Sequence, residues 1–350
     1  MRLDEPAWWY GTDHRLAPRL LQPIGAIWGA VAIRSYARAT PYRSRLPVIC
    51  IGNFTAGGTG KTPLALEVAG ELQRQGCKAV FLTRGYGGRV AGPHWVDHAA
   101  DKAMDVGDEP LLLARQAPTL VSRDRANGAK AIETGERPAD VIVMDDGLQN
   151  PSLQKDLSLA VVDGRRGLGN GRVIPAGPLR APLDFQFGLT DAIVVNEPHD
   201  GEVGAAPTAD WLRRRFPGPV LSASVQPIKS VAWLNNAAVV AFAGTGAPQR
   251  FFDLLRRCGA DVVHAVPFPD HHPFGEADAQ RLMDLASAAS ATLVTTEKDW
   301  ARMGASGEQV GRLKAMSRVL PITMSFGERD AVRLKTLLEV AVKAKSGAAS

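Results

Sequence analysis

The residues with the clearest chemical signature form a glycine-rich loop between a predicted strand, Val48–Asn53, and a predicted helix, Lys61–Gln75. Glycines let backbone N–H groups converge on phosphate oxygens, and the helix N-terminus adds a partial positive charge. In such loops the lysine contacts the β- and γ-phosphates of a nucleotide, and the next hydroxyl ligates Mg²⁺. The general motif has a glycine where this chain has Thr55. We predict a nucleotide-binding loop, with Lys61 also catalytic, made of Thr55, Ala56, Gly57, Gly58, Thr59, Gly60, Lys61 and Thr62.

A second pattern supplies carboxylates for the metal. The apolar run Val141–Asp145 predicts a buried strand, and Asp146 follows it directly. In proteins with this loop, an acidic residue at the end of another strand orients the Mg²⁺ that accompanies the nucleotide. Adjacent carboxylates after a strand are also common in solvent-exposed turns. Beside a phosphate-binding loop we favour a magnesium site, with Thr62, Asp145 and Asp146 as ligands.

Arginines follow several predicted strands at their carboxyl ends. Guanidinium groups bind phosphate through paired hydrogen bonds, so together they indicate more negative charge at this edge than ATP alone carries. Any one of them is equally consistent with an ordinary surface residue. Arg180 lies in a Pro/Gly-rich segment, and we assign it to catalysis. We predict that three others bind an anionic acceptor: Arg84, Arg123 and Arg125.

A kinase also requires a carboxylate near the acceptor hydroxyl. Asp108 precedes a predicted helix and is the candidate base, although a helix N-cap would also place an aspartate there. His271 and His272 are candidates to orient it. Adjacent histidines also bind zinc in some proteins, but no third ligand follows at a suitable spacing. The segment 295–299, Thr-Thr-Glu-Lys-Asp, ends another predicted strand and is a candidate contact for the nucleotide base.

The elements that must position these residues alternate between short apolar strands and helices. This alternation predicts an α/β fold resembling P-loop NTPases, with a parallel sheet covered by helices on both faces. Right-handed crossovers then bring the carboxyl ends of the strands to one edge, where ligands bind. The predicted strands are Val48–Asn53, Lys78–Arg84, Thr119–Ser122, Val141–Asp145, Leu157–Asp163 and Ala192–Asn196.

An irregular region, Pro198–Pro219, separates this sheet from a second α/β pattern that begins near Ser230. A chain of 350 residues is long enough for two domains, so we predict a smaller second lobe and a cleft between the lobes. We divide the chain into an N-terminal segment (1–47), a P-loop kinase domain (48–230) and the smaller lobe (231–350). The predicted strands of the last range are Ala237–Ala243, Asp261–Val266, Ala291–Thr296 and Leu320–Ser325, and a final helix spans Asp330–Lys345.

Composition and cysteine spacing exclude some classes of protein. Hydrophobic residues make up 45% of the chain and charged residues 22%, which is ordinary for a globular protein with a packed core. The three cysteines, Cys50, Cys77 and Cys258, are widely spaced and form no CxxC pair. Their spacing argues against a disulfide framework and against a structural zinc site.

The N-terminal segment combines positive charge with an apolar helix. Residues 1–47 contain seven arginines against three acidic residues, a net +4 out of +5 for the whole chain. The run Leu20–Ile33 has large apolar residues at helical spacing, but its fourteen residues are short of the roughly 20 that span a bilayer. We predict an amphipathic helix on an anionic membrane surface, without a crossing and with no nucleic-acid partner. An ordinary helix packed on the protein's own core remains the alternative.

Eight short motifs, in the same order along the chain, resemble the tetraacyldisaccharide 4′-kinase family. The resemblance covers essentially the whole chain and is far more specific than a P-loop alone. The motifs are GNFTAGGTGKTP (52–63), LTRGYGG (82–88), GDEP (107–110), SRDRANGA (122–129), MDDGLQ (144–149), PAGPLR (175–180), FPDHHPF (268–274) and TTEKD (295–299).

The resemblance implies a kinase of lipid A biosynthesis at the cytoplasmic face of the bacterial inner membrane. It would use ATP and Mg²⁺ to phosphorylate the 4′-hydroxyl of a tetraacyl glucosamine disaccharide 1-phosphate. It also implies that Asp108 is the base for that hydroxyl and that His271 is its partner. The family motif continues with glutamate after the arginine, whereas this chain has Ala181, so we transfer no acidic role to that position.

Two other functions are compatible with the P-loop. A nucleotide-switch ATPase or GTPase would hydrolyse nucleotide without an acceptor and would not depend on Asp108. A kinase for a soluble sugar or nucleoside would leave the apolar run Leu20–Ile33 without a purpose.

Overall fold

The computed structural model of the chain describes residues 6–11, 16–197, 206–304 and 307–346. Two sheets, one of nine strands and one of four, organise these residues, and helices pack on both faces of each. The α/β class predicted from the sequence is confirmed. Arg2 and Arg15, which contribute to the predicted N-terminal charge, lie outside the described residues.

The strands, in chain order, are β1 (Val48–Asn53), β2 (Ala79–Thr83), β3 (His94–Trp95), β4 (Thr119–Val121), β5 (Val141–Asp145), β6 (Leu157–Asp163), β7 (Ala192–Asn196), β8 (Val220–Pro227), β9 (Ala238–Ala243), β10 (Asp261–Pro267), β11 (Thr292–Thr295), β12 (Arg318–Val319) and β13 (Ile322–Phe326). The α-helices are α1 (Leu16–Arg38), α2 (Lys61–Arg74), α3 (Ala103–Val106), α4 (Asp108–Leu113), α5 (Arg125–Thr134), α6 (Leu183–Phe187), α7 (Ala206–Arg215), α8 (Pro248–Arg257), α9 (Glu276–Ala288), α10 (Glu297–Arg302), α11 (Glu308–Met316) and α12 (Glu328–Ser346). Short 3₁₀ turns cover Ala7–Trp9 and Ala232–Leu234.

The large sheet has the order β13-β8-β7-β6-β1-β5-β2-β4-β3, and β1 pairs in parallel with β5 and β6. All six residues of β1 are buried, as expected for a parallel strand covered on both faces. Ile49 and Ile51 pack on the side of α2 and α12, whereas Val48 and Cys50 pack with α5 on the other side. The carboxyl ends of β1, β5, β6 and β7 therefore share one edge, and the loops that follow them form the floor of the cleft.

The second lobe is built on the parallel sheet β10-β9-β11-β12. Phe242 of β9 packs towards α9 and α11, while Val239 and Ala241 of the same strand pack towards α8. This alternation places helices on both faces of β9, so the lobe has two apolar clusters of its own.

The chain returns to the large sheet after residue 320. We predicted that 231–350 would form the smaller lobe, but β13 pairs antiparallel with β8 of the large sheet, and α12 packs on the same side as α2. Strand β13 is therefore an edge strand of the large sheet. Its residue Met324 adds to the apolar cluster under α2. A second difference concerns the region Pro198–Pro219, which we expected to be irregular and which contains α7.

Helix α1 is longer than the apolar run that predicted it, and by length and composition alone it is sufficient to cross a bilayer. One side of the helix is packed on the protein. Gly25 lies against the backbone of Val173 and Gly29 against Pro182, so closely that a Cβ at either glycine would come within 3 Å of those atoms. The other side exposes large apolar residues to solvent: Leu16, Leu20, Ile24, Ile27, Trp28 and Val31.

Candidate active site

The glycine-rich loop joins β1 to α2 and leaves the N-terminus of that helix open. Gly60 is the N-cap residue, with φ +105°, and no side chain caps the helix there. The first N–H groups of α2 are therefore left to bind an anion. Two amides shape the loop: Nδ2 of Asn53 donates to the Thr55 carbonyl at 2.7 Å, and Nδ2 of Asn196 donates to the Thr59 carbonyl at 3.2 Å.

Asp145, the last residue of β5, is fully buried beside this loop. Within the described part of the chain, neither of its carboxylate oxygens has a hydrogen-bond partner. Burial, reinforced by the charges of Glu109 and Asp146, raises the pKa of Asp145 to about 7. An unpartnered buried carboxylate is unfavourable unless a cation neutralises it, and carboxylate and hydroxyl oxygens are the ligands that Mg²⁺ prefers. The residues present therefore fit a magnesium ion.

Asp146 follows in the left-handed region, at φ +50°, and its carboxylate meets two cations. Oδ1 of Asp146 lies 2.6 Å from Nη1 of Arg180 and 3.8 Å from Nζ of Lys61. Burial would raise the pKa of Asp146, but these two cations more than offset it and hold the pKa well below its usual range. Arg180 also donates from Nε to the Thr55 carbonyl at 3.2 Å, so it joins the phosphate loop to Asp146.

Asp108 and His271 come from different lobes and meet across the cleft. Nδ1 of His271 lies 3.1 Å from Oδ2 of Asp108. His271 has φ +58°, an uncommon value for a non-glycine residue, and its backbone N–H donates to the Gly244 carbonyl. The N-cap of α4 is Gly107, so Asp108 is the first residue of that helix and the capping alternative is wrong.

The Asp108 carboxyl is 3% exposed and lies among cations. Burial alone would raise its pKa. The hydrogen bond with His271 and the charges of Lys298 and Arg302 outweigh burial and hold the pKa of Asp108 well below its usual range. The carboxylate is therefore ionised at neutral pH, as a proton acceptor requires.

The loop, Asp146, Arg180 and His271 all line one cleft of about 480 Å³ between the lobes. Its walls are joined by ion pairs at both ends. On one side Lys298 meets Glu109 at 2.8 Å, and on the other Arg165 meets Asp253 at 3.1 Å. A cleft of this size, with an anion-binding loop at its floor and in its wall a histidine that contacts a buried carboxylate, fits phosphate transfer from a nucleotide.

Comparison with known proteins identifies the family. A sequence model described as tetraacyldisaccharide-1-P 4′-kinase matches residues 17–342. A tetraacyldisaccharide 4′-kinase of Nitrobacter winogradskyi is 47% identical over 334 residues, 94% of this chain and 95% of the relative. Another, from Rhodospirillum centenum, is 45% identical over 330 residues and 93% of each chain. The chain belongs to the tetraacyldisaccharide-1-P 4′-kinase family.

A solved structure supports the fold. LpxK from Aquifex aeolicus, crystallised in complex with ATP, aligns with a TM-score of 0.69 and 22% identity over 93% of this chain and 100% of that chain. The family resemblance seen in the sequence motifs is thus confirmed, and the chain is a phosphotransferase of the kinase class.

The three arginines predicted to bind the acceptor of this kinase differ in exposure. Arg84 and Arg123 are exposed, and Nη2 of Arg123 donates to the Gly88 carbonyl at 3.1 Å. Arg125 is 2% exposed, so the prediction that it contacts an acceptor is wrong for this conformation. As the first residue of α5, it turns under the strand ends and donates to the carbonyls of Ser122, at 2.7 Å, and Asp145, at 3.5 Å.

Sequence reasoning missed part of the wall opposite the phosphate loop. We proposed that 295–299 contacts the nucleotide base, and Thr296, Glu297 and Lys298 do line the cleft, but Lys298 pairs with Glu109 next to Asp108. Arg302, which the sequence motifs do not include, contacts Asp108 directly. Their four-residue spacing was the available signal, because it places both cations on one face of a helix. His272, by contrast, bonds Asp278 in its own lobe.

Proposed function

We propose that this chain transfers the γ-phosphate of ATP to the 4′-hydroxyl of a tetraacyldisaccharide 1-phosphate, a late step of lipid A biosynthesis. The observation that carries the proposal is the contact between Asp108 and His271, because His271 lines the same cleft as the phosphate-binding loop. A nucleotide switch does not require such a pair, whereas a kinase requires a base that takes the proton from the hydroxyl to be phosphorylated. The names of the relatives supply the acceptor.

In the proposed reaction the acceptor oxygen attacks the γ-phosphorus, the bond from that phosphorus to the β–γ bridging oxygen breaks, and ADP leaves. Asp108 takes the hydroxyl proton, and His271 holds its carboxylate. Lys61 and Arg180, which meet at Asp146, neutralise the charge that develops on the transferred group. The loop 55–62 holds the phosphates through its N–H groups.

The metal site in this proposal is formed by Thr62, Asp145 and Asp146. Mg²⁺, when bound, would neutralise phosphate charge and help to align the leaving oxygen. The unpartnered carboxylate of Asp145 supports this assignment. Arg84 and Arg123, which are exposed just after β2 and β4, are our candidates for the 1-phosphate of the acceptor.

The acceptor is a lipid, so the enzyme must reach a membrane. We place it on the cytoplasmic face of the bacterial inner membrane, as a peripheral or monotopic protein. The glycine side of α1 is packed on the protein and its apolar side is exposed, as in a helix that lies in the membrane–water interface. Arg19, Arg34 and Arg38 of the same helix add attraction to anionic lipids.

Ile24→Ser with Ile27→Ser is expected to weaken binding to anionic vesicles by about 10²-fold, because two apolar side chains would no longer enter the lipid. Both are more than half exposed, so the fold should be unaffected. Co-sedimentation with phosphatidylglycerol vesicles measures the change. Val332→Ser with Val340→Ser removes equally exposed side chains from α12 and is the control. Equal binding by both double variants would contradict a membrane role for α1.

The proposed reaction is tested by phosphate transfer from γ-labelled ATP to a detergent-solubilised lipid A disaccharide 1-phosphate, with and without Mg²⁺. We expect a labelled bisphosphate lipid that forms only with the metal. A Lys61→Ala preparation controls for contaminating kinases. Steady ATP hydrolysis without labelled lipid would refute the proposal and favour a nucleotide-switch ATPase. Equal activity towards a soluble sugar would refute the lipid acceptor.

A further inference from the structure

Asp108 has a second close partner that the proposed mechanism does not use. Nη2 of Arg302 lies 2.5 Å from Oδ2 of Asp108, the same oxygen that His271 approaches at 3.1 Å. Arg302 is the last residue of α10, in the second lobe, whereas Asp108 begins α4 in the first. We infer that Arg302 is a positioning residue for phosphate transfer, which fixes the proposed base, Asp108, from the opposite lobe. The inference rests on the proposed function.

Arg302 is itself held rigidly. Its Nη1 donates to Oδ1 of Asp299 at 2.8 Å and to the Gly244 carbonyl at 3.0 Å. Asp299 is fully buried, accepts the Gly244 N–H and exchanges hydrogen bonds with Thr296 at the N-cap of α10. One terminal nitrogen of the guanidinium therefore bonds groups of its own lobe, and the other bonds Asp108. Lysine has a single nitrogen and cannot make both sets of contacts in this planar geometry.

Gly244 links this clamp to His271. Its carbonyl accepts both Nη1 of Arg302 and the backbone N–H of His271, the residue with the left-handed backbone. One carbonyl thus sets the relative position of the two groups that hold Oδ2 of Asp108. A support that fixes both partners of a carboxylate is what an acid–base pair requires for constant geometry.

The two donors at Oδ2 leave the other carboxylate oxygen less occupied. In the described part of the chain, Oδ1 of Asp108 accepts the Glu109 N–H, at 3.1 Å. A carboxylate oxygen accepts about two hydrogen bonds, so Oδ1 retains room for one more. Arg302 and His271 together therefore select the oxygen that receives the acceptor proton.

Charge also connects Arg302 to His271. The charged and titratable groups around Asp108 come from α4, α10 and the segment that follows β10: Glu109, Lys298, Asp299, Arg302, Asp270 and His271. Arg302 and a protonated His271 compete for one carboxylate oxygen and repel each other. Arg302 is one of the cations that lower the pKa of Asp108, so removal of its charge should raise that pKa.

The test compares Arg302→Met, Arg302→Lys and the control Arg312→Met, which removes an exposed arginine from α11 of the same lobe. We expect Arg302→Met to lower kcat by about 10- to 10²-fold, with the KM for ATP within about threefold. The acidic limb of its kcat/KM profile should move to higher pH. Arg302→Lys should recover part of kcat and keep the limb near its wild-type position, and the control should match wild type.

A second readout does not depend on the reaction. ¹H–¹⁵N spectra of the histidine rings, with His271 assigned from a His271→Gln variant, report on the hydrogen bond between Nδ1 of His271 and Asp108. We expect the Nδ1 resonance of His271 to shift in Arg302→Met, because Asp108 loses its second partner and the hydrogen bond to His271 changes, and to stay unchanged in Arg312→Met. An unmoved His271 resonance in Arg302→Met, or equal losses of kcat in Arg302→Met and Arg302→Lys with an unshifted pH profile, would overturn the inference. Absence of lipid phosphorylation by the wild-type enzyme, with the His271 shift present, would refute only the proposed function.

Discussion

Asp108→Asn is expected to lower the rate of phosphate transfer by about 10² to 10³, with the affinity for ATP nearly unchanged. The substitution keeps the shape of a side chain that is 3% exposed, but it removes the charge that accepts the hydroxyl proton. It also converts the partner of His271 and Arg302 from a carboxylate into a neutral amide. Within the described residues, the Asp108 carboxylate bonds the Glu109 N–H, His271 and Arg302 and no residue of the phosphate loop, so nucleotide binding should persist.

Single-turnover transfer and ATP titration, measured on the same preparation, separate the two effects. Asp105→Asn, in the short helix that precedes Gly107, is the matched control and should retain wild-type activity. If Asp108→Asn turned over within about threefold of wild type, Asp108 would not be the proton acceptor. His271 would then be the remaining candidate, since it lines the cleft.

Asp145→Asn is expected to reduce transfer by at least about 10² and at the same time to stabilise the nucleotide-free enzyme. The wild-type carboxyl has a pKa of about 7 in the fold, against an ordinary value near 3.9. A raised carboxyl pKa contributes stability that is fully present below about pH 4 and is lost as the pH rises to about 7. Above pH 7 the ionised Asp145 therefore lowers the free energy of unfolding, by about 2 to 4 kcal/mol.

The predicted gain in thermal stability is several degrees at pH 8 and smaller at pH 5. Melting curves of both proteins at the two pH values, with and without Mg²⁺–ATP, provide the measurement. The metal should remove most of the difference, because it neutralises the carboxylate of the wild type only. Asp284→Asn, an exposed carboxylate on α9, controls for the loss of a charge. A variant that melts lower than wild type at pH 8 would exclude this account of Asp145.

The sequence was most informative where one local pattern decided the structure. The strands β1, β5, β6 and β7 begin and end at the predicted residues, because continuous apolar runs that end at polar residues leave few alternatives. The glycine-rich loop and Asp145 followed from the same patterns. These elements form the floor of the cleft, so the nucleotide half of the candidate site was predictable.

The opposite wall was less predictable, since it depends on contacts between distant parts of the chain. The spacing of Lys298 and Arg302 places both on one helix face, but it does not indicate that Arg302 meets a carboxylate 194 residues earlier in the sequence. Arg125 follows a strand and was predicted to bind the acceptor, yet the turn into α5 folds it beneath Asp145. The pairing of β13 with β8 of the large sheet could likewise not be predicted, because the periodicity of a strand does not specify which strand it pairs with.

Helix α1 contacts a residue that lines the cleft, since Nε1 of Trp28 donates to the backbone carbonyl of Arg180 at 3.3 Å. A cleft of about 480 Å³ admits a nucleotide and a sugar, so the acyl chains of the proposed acceptor must stay in the bilayer. The rate of the enzyme would then depend on the number of acceptor molecules per unit area of membrane and not on their number per unit volume of cytoplasm. The same quantity of acceptor, spread through a larger pool of lipid, would be phosphorylated more slowly although its bulk concentration is unchanged.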